Sequence, residues 1–563
     1  MSAGAAAWPA RALPPLALLA LAAALWWQSA HTAAGAVPAG APPWATLQDH
    51  LLDGPDAGWW AWQAQALQEG TLDRLDPHRM PTWTLATVAV AWLTGLSNTL
   101  AGHLVNHLAA VLVGPVTYAL GRLMGMSRPS AFVAGLLVLL CPAVVLPSRR
   151  FGIDAVVSFA WPSALLVALA AGARPWLAPL AGVAAGLACA THFTTLPAPV
   201  PLALAALVFA PRGERLKVAA GFGLGLVGTL AVVASLLPIV TPDVLVRSIV
   251  EGIAPVRLEA QPSADVLASR AWDTFGQGAR GAVGVTGRWL SQSAGADALP
   301  TAIVPVLLSL GVTGLGLATG NARPRGRSGR TMGPFLATGL PAGIVPLLLL
   351  APVPVLAAAG AQPRYMDNLA PIAILLVVRG IAALGACVDA AVGARAPRWP
   401  TGAGQAAAAA AFALACVRPD LRGSATPPVA EDQLVVFEAA RTIRATFGPG
   451  VDLATVMPEL AASTGAWDCP HLRVCPAAAD EPSYRSCLQA FARDCRGDGD
   501  IPYVIVVQTP ADGRPTARKA MDAWVEARWP VTEIARGKSM RVRLARIDRA
   551  AAAAGGLGVD ASP

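Results

Sequence analysis

Along the chain, apolar runs near the ~20 residues needed to cross a bilayer begin at about Leu13 and recur as far as about Cys416. After the first, Leu13 to about Trp27, the pattern predicts spans at approximately 100–121, 130–147, 155–172, 175–191, 196–211, 218–239, 300–319, 332–352, 369–389 and 402–417. Gly and Pro occur inside several of them, which membrane helices tolerate because neighbouring helices re-satisfy the backbone. Trp83 to Leu96 is apolar but short, the length of an interfacial or re-entrant segment. From about Glu431 the period changes. QLVVFEAARTIRATF and ARKAMDAWVEARW read as helices, DLATVM and IPYVIVVQT as strands, and VTEIA with MRVRLARI as strands able to pair. The expected architecture is a polytopic α-helical membrane protein of about eleven transmembrane helices with a C-terminal, extracytoplasmic small α/β domain. Its parts are a signal anchor or first helix at 1–30, a first outer loop with interfacial helices at 31–99, a transmembrane core at 100–417 and the α/β domain at 431–549. An Ala- and Gly-rich tail at 550–563 is expected to be disordered.

Composition agrees with the runs. The 563 residues are 55% hydrophobic and 13% charged, against about 25% charged in soluble domains. The formal charge of +8 does not point to nucleic acid, because the basic residues lie scattered or clustered between apolar runs, where they act as topology signals. The first run is taken as a signal anchor, with a signal peptide cleaved near HTAAGA as the alternative. Either puts Leu51 to Gly70 outside. If 83–96 does not span, Arg122, Arg128, Arg212 to Lys217, the Arg323 to Arg330 loop, Arg395 and Arg398 all fall on the cytoplasmic side, as basic loops should. The outer face then receives Asp53, Asp56, SRRFGIDAV, the 241–299 loop, QPRYMDN and everything after about Arg418, giving a multi-pass cell-membrane protein whose site and C-terminal domain are extracytoplasmic.

Four cysteines in one outer stretch, Cys469, Cys475, Cys487 and Cys495, read as two disulfides with three possible pairings; a metal site around CPHLRVC with His471 is the alternative. Cys141, Cys189, Cys387 and Cys416 lie in apolar runs, as small core residues do. The chain carries no P-loop, dinucleotide fingerprint or nucleophile elbow.

The candidate chemistry starts in LLDGPDAGWWAWQAQALQEG. Trp59, Trp62, Ala66 and Gly70 fall near one helical face, as in an indole-rich helix at the membrane interface; the alternative is that the indoles, Trp60 included, wall a substrate cleft. Asp53 reads as a helix cap. Asp56 has a partner, because Asp154 arrives on the same face at a helix entrance just after Arg149 and Arg150. Paired carboxylates with cations at a lipid–water boundary suit transfer of a group from a lipid phosphate to an acceptor hydroxyl or amine. The carboxylate takes the acceptor's proton while arginines neutralise the departing phosphate. Partial burial against indoles raises an aspartate from its ordinary ~3.9 towards a useful base. Arg149 and Arg150 have snorkelling as an alternative. His103 and His107, at i and i+4, read as helix packing rather than metal ligation, and His192 reads as a turn or cleft residue.

DAGWWAWQAQALQEG, DPHRMPTWTLATVAVAWLTGL, GPVTYALGRLMGMSRPSAFVAGLLVLLCPAVVLPSRRFGIDAVVSF and LAGVAAGLACATHFTTLPAPVPLAL together resemble the membrane half of GT-C glycosyltransferases, in particular the protein-mannosyltransferase and lipid A aminoarabinose-transferase type. The likeness spans roughly Leu51 to Ala210, with a weaker echo at PRYMDNLAPIAILL. It implies a polyprenyl-phosphate-linked sugar donor, a lipid, glycan or protein acceptor, and a site on the outer face. By the same resemblance Asp56, with aromatic residues three and four positions on at Trp59 and Trp60, matches the first-loop acid, and Asp154 the second. His78 and Pro81 echo an H-P-P segment, and Arg364 with Tyr365 the late-loop basic element. The family commonly shows Asp-Glu where this chain has Asp56-Ala57, and Tyr where it has Trp. That departure argues against a metal site built on adjacent acids, although Asp53 is able to substitute in part. No cofactor is assigned, and a divalent ion stays an open alternative. The alternatives in function are a transporter or flippase for a lipid-linked or small substrate, with the acids relaying protons or ions, and a scaffold without activity.

Overall fold

The computed structural model describes residues 12–24, 55–70, 81–124, 126–141, 144, 151–192, 195, 198–236, 370–393, 403–416, 431–448, 453, 460, 480–494, 499–508, 516–538 and 540–554. Within the apolar part, the α-helices in chain order are α1 (Ala12–Ala24), α2 (Pro55–Gln68), α3 (Thr82–Thr94), α4 (Asn98–Leu123), α5 (Arg128–Leu140), α6 (Asp154–Ala173), α7 (Ala178–Cys189), α8 (Pro199–Phe209), α9 (Arg215–Leu236), α10 (Ala370–Gly393) and α11 (Ala403–Cys416). The chain is a helical membrane protein. Among the described residues three helices, Asn98–Leu123, Asp154–Ala173 and Arg212–Ser235, have both the length and the apolarity to cross a bilayer. The expected spans at 300–319 and 332–352 lie outside the described residues, so the expected count of eleven rests on the sequence pattern alone.

Local chemistry explains where these helices begin and stop. Ser97 accepts from the Leu100 N–H and Ser127 from the Ser130 N–H, each satisfying a donor that the first turn leaves free. The run expected over 130–147 closes as a helix at Leu140, where Cys141 turns extended with ψ 124°. Cys141 precedes Pro142, whose ring disfavours the helical backbone in the residue before it. Prolines also open α7 and α8, at positions where the missing N–H costs nothing. α3 ends on Gly95 in the left-handed region at φ 70°, and three residues later α4 starts back along it.

α4, α5, α6 and α10 bury the main core, with Leu120, Val138, Leu165, Leu169 and Leu376 at its centre. α7 and α9 pack at backbone contact. A Cβ on Gly182 would lie 2.0 Å from the Phe222 carbonyl oxygen, and one on Gly225 2.0 Å from that of Pro179, so helix association here depends on glycine. Between α4 and α5, Gln405 of α11 accepts from the Ser127 N–H at 3.2 Å, and the Arg122 guanidinium donates to the Met126 carbonyl.

The C-terminal part contains α12 (Glu431–Phe447), α13 (Glu481–Asp494), β1 (Ile501–Gln508), α14 (Thr516–Glu526), β2 (Val531–Arg536), β3 (Met540–Ile547) and α15 (Arg549–Ala553). The strands form one antiparallel sheet of order β1-β3-β2, with Ile501 opposite Ile547 and Val531 opposite Ala545. Alternation sorts each strand between two apolar layers. Ile501, Tyr503, Ile505, Ala545 and Ile547 pack under α13, α14 and α15, while Val504, Val506, Val542 and Leu544 pack under α12 with Leu453. The strands expected at IPYVIVVQT, VTEIA and MRVRLARI are present. Of DLATVM only Leu453 falls among the described residues.

Candidate active site

The loop residues named for the site fall unevenly. Asp53, His78, Arg149, Arg150, Arg364 and Tyr365 lie outside the described residues, as do Cys469, Cys475 and Cys495. Cys487, on the buried face of α13, is not a free thiol. Asp56 is the second residue of α2, and Asp154 is the first residue of α6. An aspartate in the first turn of a helix lies where the N–H groups and the dipole favour its charge.

The two helices meet through a compact aromatic cluster. Ala57, Trp60 and Ala61 of α2, Trp83 of α3, and Phe151, Ile153 and Val157 at the entrance of α6 are all buried in it. Trp83 stands edge-on to Trp60, with ring centroids 5.3 Å apart, and perpendicular to Phe151 at 4.9 Å. Gly152 lies against Trp60, its missing Cβ 3.7 Å from Trp60 Cδ1. Asp56 is therefore one helical turn before the residue that touches Gly152, and Asp154 is two residues after it. Side-chain amides fix the other end of α2, where Asn98 Nδ2 donates to Gln68 Oε1 at 2.7 Å. The first and second acids of the sequence pattern thus reach one corner of the fold.

The face of α2 differs from the expected one. Ala57, Trp60, Ala61 and Ala64, at i, i+3, i+4 and i+7, are buried, so Trp60 is an internal packing residue rather than a membrane belt or an open cleft wall. Small alanines make this contact, which a pattern weighted by indoles overlooks. α3 supplies the floor. It has 13 residues, about 20 Å of helix against the ~30 Å hydrocarbon core. One face buries Trp83, Thr84, Thr87 and Ala91, and the other end leaves Trp92 82% exposed.

His103 packs its ring on Phe151 at 5.3 Å, and His107 Nδ1 lies 2.7 Å from the His103 carbonyl, where it donates. His192 closes a turn, its N–H donating to Thr195 Oγ1. Among the described residues no group of three or more His, Cys, Asp or Glu is placed to hold a metal ion. One residue went unnoticed in the sequence. Arg379 is buried inside α10 between Val378 and Gly380, and a lone cation within an apolar run is itself a signal of function.

No family model matches the chain, and no curated protein matches its sequence. Solved structures do. The structure of ArnT from Cupriavidus metallidurans bound to undecaprenyl phosphate superposes with a TM-score of 0.52 at 14% identity, over 94% of this chain and 97% of that one. The apo structure of the same protein gives 0.51 at 15% identity over 96% and 98%. The chain has the GT-C glycosyltransferase fold. The archaeal oligosaccharyltransferase AglB from Archaeoglobus fulgidus matches more faintly, at a TM-score of 0.47 and 12% identity over 87% and 69%. Within this fold the aromatic cluster joins the helix that carries Asp56 to the entrance of the helix that begins at Asp154.

Proposed function

We propose that the protein is an integral membrane glycosyltransferase that moves a sugar from a polyprenyl-phosphate donor to an acceptor on the outer face of the membrane. The observation that carries this reading is the joining of the Asp56 helix to the Asp154 helix through Trp60, Trp83 and Phe151. That junction lies in a fold shared almost end to end with a protein solved with undecaprenyl phosphate bound. Asp56 takes the proton of the acceptor hydroxyl or amine as its heteroatom bonds to the sugar's anomeric carbon. The bond from that carbon to the phosphate oxygen breaks on the opposite side, which inverts the centre. The polyprenyl phosphate leaves as a stable anion, so no dedicated general acid is needed. Asp154 supports the site, and Arg149, Arg150 and Arg364 neutralise the leaving phosphate. Asp53, Trp59, His78 and Tyr365 line the approach for donor and acceptor.

The shortness of α3 supports an outer site, because a segment that does not cross keeps Asp56 and Asp154 on one side and the basic loops inside. On the same reading residues 431–549 form an outer domain that selects the acceptor. Two disulfides among Cys469, Cys475, Cys487 and Cys495 staple it, in keeping with Cys487 not being a free thiol. The reading is tested by comparing cells with and without the protein. Loss of the protein should leave polyprenyl-phosphate sugar accumulated and one envelope acceptor unglycosylated; identical lipid-linked sugar pools and acceptors in the two strains would refute it.

A further inference from the structure

Trp83 Nε1 donates to Asn106 Oδ1 at 2.7 Å, between two side chains without exposed surface. Trp83 is the second residue of α3 and Asn106 lies in the third turn of α4, two helices without an acidic residue. Yet the same indole touches Trp60 of the Asp56 helix on one side and Phe151, three residues before Asp154, on the other. In an apolar slot an indole has several packings of similar energy. A buried N–H with a fixed acceptor selects among them, because an orientation that turns the ring away leaves the indole N–H buried without that acceptor. Gly102, one turn before Asn106, supplies the room. A Cβ there would come within 2.5 Å of Phe151 Cε2 and 2.9 Å of Trp83 Cζ2, so both rings would have to move. An amide acceptor, an absent Cβ and two edge-on ring contacts converge on one orientation of one indole.

We infer that Trp83 and Asn106 are positioning residues, setting the distance between the Asp56 and Asp154 helices through the rings of Trp60 and Phe151. The functional importance of that distance rests on the role proposed above for the two acids. The distance itself does not depend on that role.

The test uses the purified full chain in lipid nanodiscs, with nitroxide labels on Asp56→Cys and Asp154→Cys, and reads the interspin distance distribution. Three backgrounds are compared with the parent. Asn106→Leu removes the acceptor, Gly102→Ala crowds the rings while favouring the helix itself, and Trp83→Phe with Asn106→Leu removes donor and acceptor of this hydrogen bond together, so that the indole N–H is not left buried without its acceptor. All three should broaden or shift the distribution, in the double variant with the chain still folded, as a cooperative thermal unfolding transition shows. In chains that retain both acids, the same changes should lower turnover of polyprenyl-phosphate sugar by about 10²-fold, as misplacement of reacting groups does. Binding of undecaprenyl phosphate itself should be unchanged. A distribution that matches the parent in the double variant and in Gly102→Ala overturns the inference. Absence of sugar transfer by the unmodified chain would count against the proposed function and leave the distance result standing.

Discussion

At the scale of single residues, the difference between Trp60 and its neighbours decides what a substitution does. Trp60 is enclosed by Trp83 and Gly152, so Trp60→Ala leaves a cavity and should cost about 3–5 kcal/mol, read as a lower unfolding temperature in detergent. Unchanged stability would mean that the ring faces substrate instead. Asp154 heads its helix without a side-chain cap at Ile153 before it. If its part in transfer is supporting, Asp154→Asn should slow the reaction by less than the 10²–10⁴-fold typical of losing a general base, measured as consumption of polyprenyl-phosphate sugar. A slowing equal to that of Asp56→Asn would make the two acids equal partners in proton transfer. The residues that this chemistry asks for were legible as types and spacings, since an acid before two indoles and an acid after two arginines both stand out in a chain of 13% charge. The orientation of α2 was not legible. The contact is made by Ala57, Ala61 and Ala64 as much as by Trp60, and alanines in an alanine-rich chain carry no contrast.

At the scale of elements, the glycines of α9 separate packing from propensity. Gly225 meets the backbone of α7, whereas Gly223 has nothing within 4 Å of where a Cβ would stand. Gly225→Ala should force the helices apart and cost on the order of 1–3 kcal/mol. Gly223→Ala should be neutral or better, by up to ~1 kcal/mol. Equal effects on the thermal midpoint would show that the close approach is not what holds the pair. In α13 the Glu481 carboxylate is held below its ordinary value near 4.5, first by the hydrogen bond from Arg485 and then by the charges of Arg485 and Arg528. A depressed folded value means that the stabilisation is present above the unfolded value and is lost as pH falls through the folded one. Hydrogen-exchange protection of α13 in the full chain should therefore be flat above the ordinary carboxylate range and fall below it, and Glu481→Gln should remove the fall. α13 itself shows why some elements escape notice. Tyr484, Cys487, Leu488 and Phe491 follow i, i+3, i+4 and i+7 and are all buried, but a stretch punctuated by cysteines draws attention to its thiols before its period. The strands, by contrast, were readable because β1 is a short run of apolar, mostly β-branched residues buried on both faces and β3 alternates Arg541 and Arg543 with Met540, Val542 and Leu544.

At the scale of the whole molecule, 14% identity over 94% of the chain shows how little sequence a membrane fold retains. A bilayer demands long apolar runs and biases basic residues to inner loops, and side chains within those limits are free to differ. The fold therefore speaks to architecture, and the chemistry proposed above is placed at the corner where α2 and the entrance of α6 are joined. Sidedness belongs to this scale as well. Cysteines placed singly at Asp56 and Asp154 in intact cells should both react with an impermeant maleimide added outside, and labelling of one alone would mean that α3 crosses the membrane after all. The central claim is tested most directly by Asp56→Asn in membranes supplied with polyprenyl-phosphate sugar and acceptor-bearing envelope. The account predicts that the variant inserts and folds as the parent does while transfer drops by at least ~10²-fold. Transfer at the parental rate would contradict it.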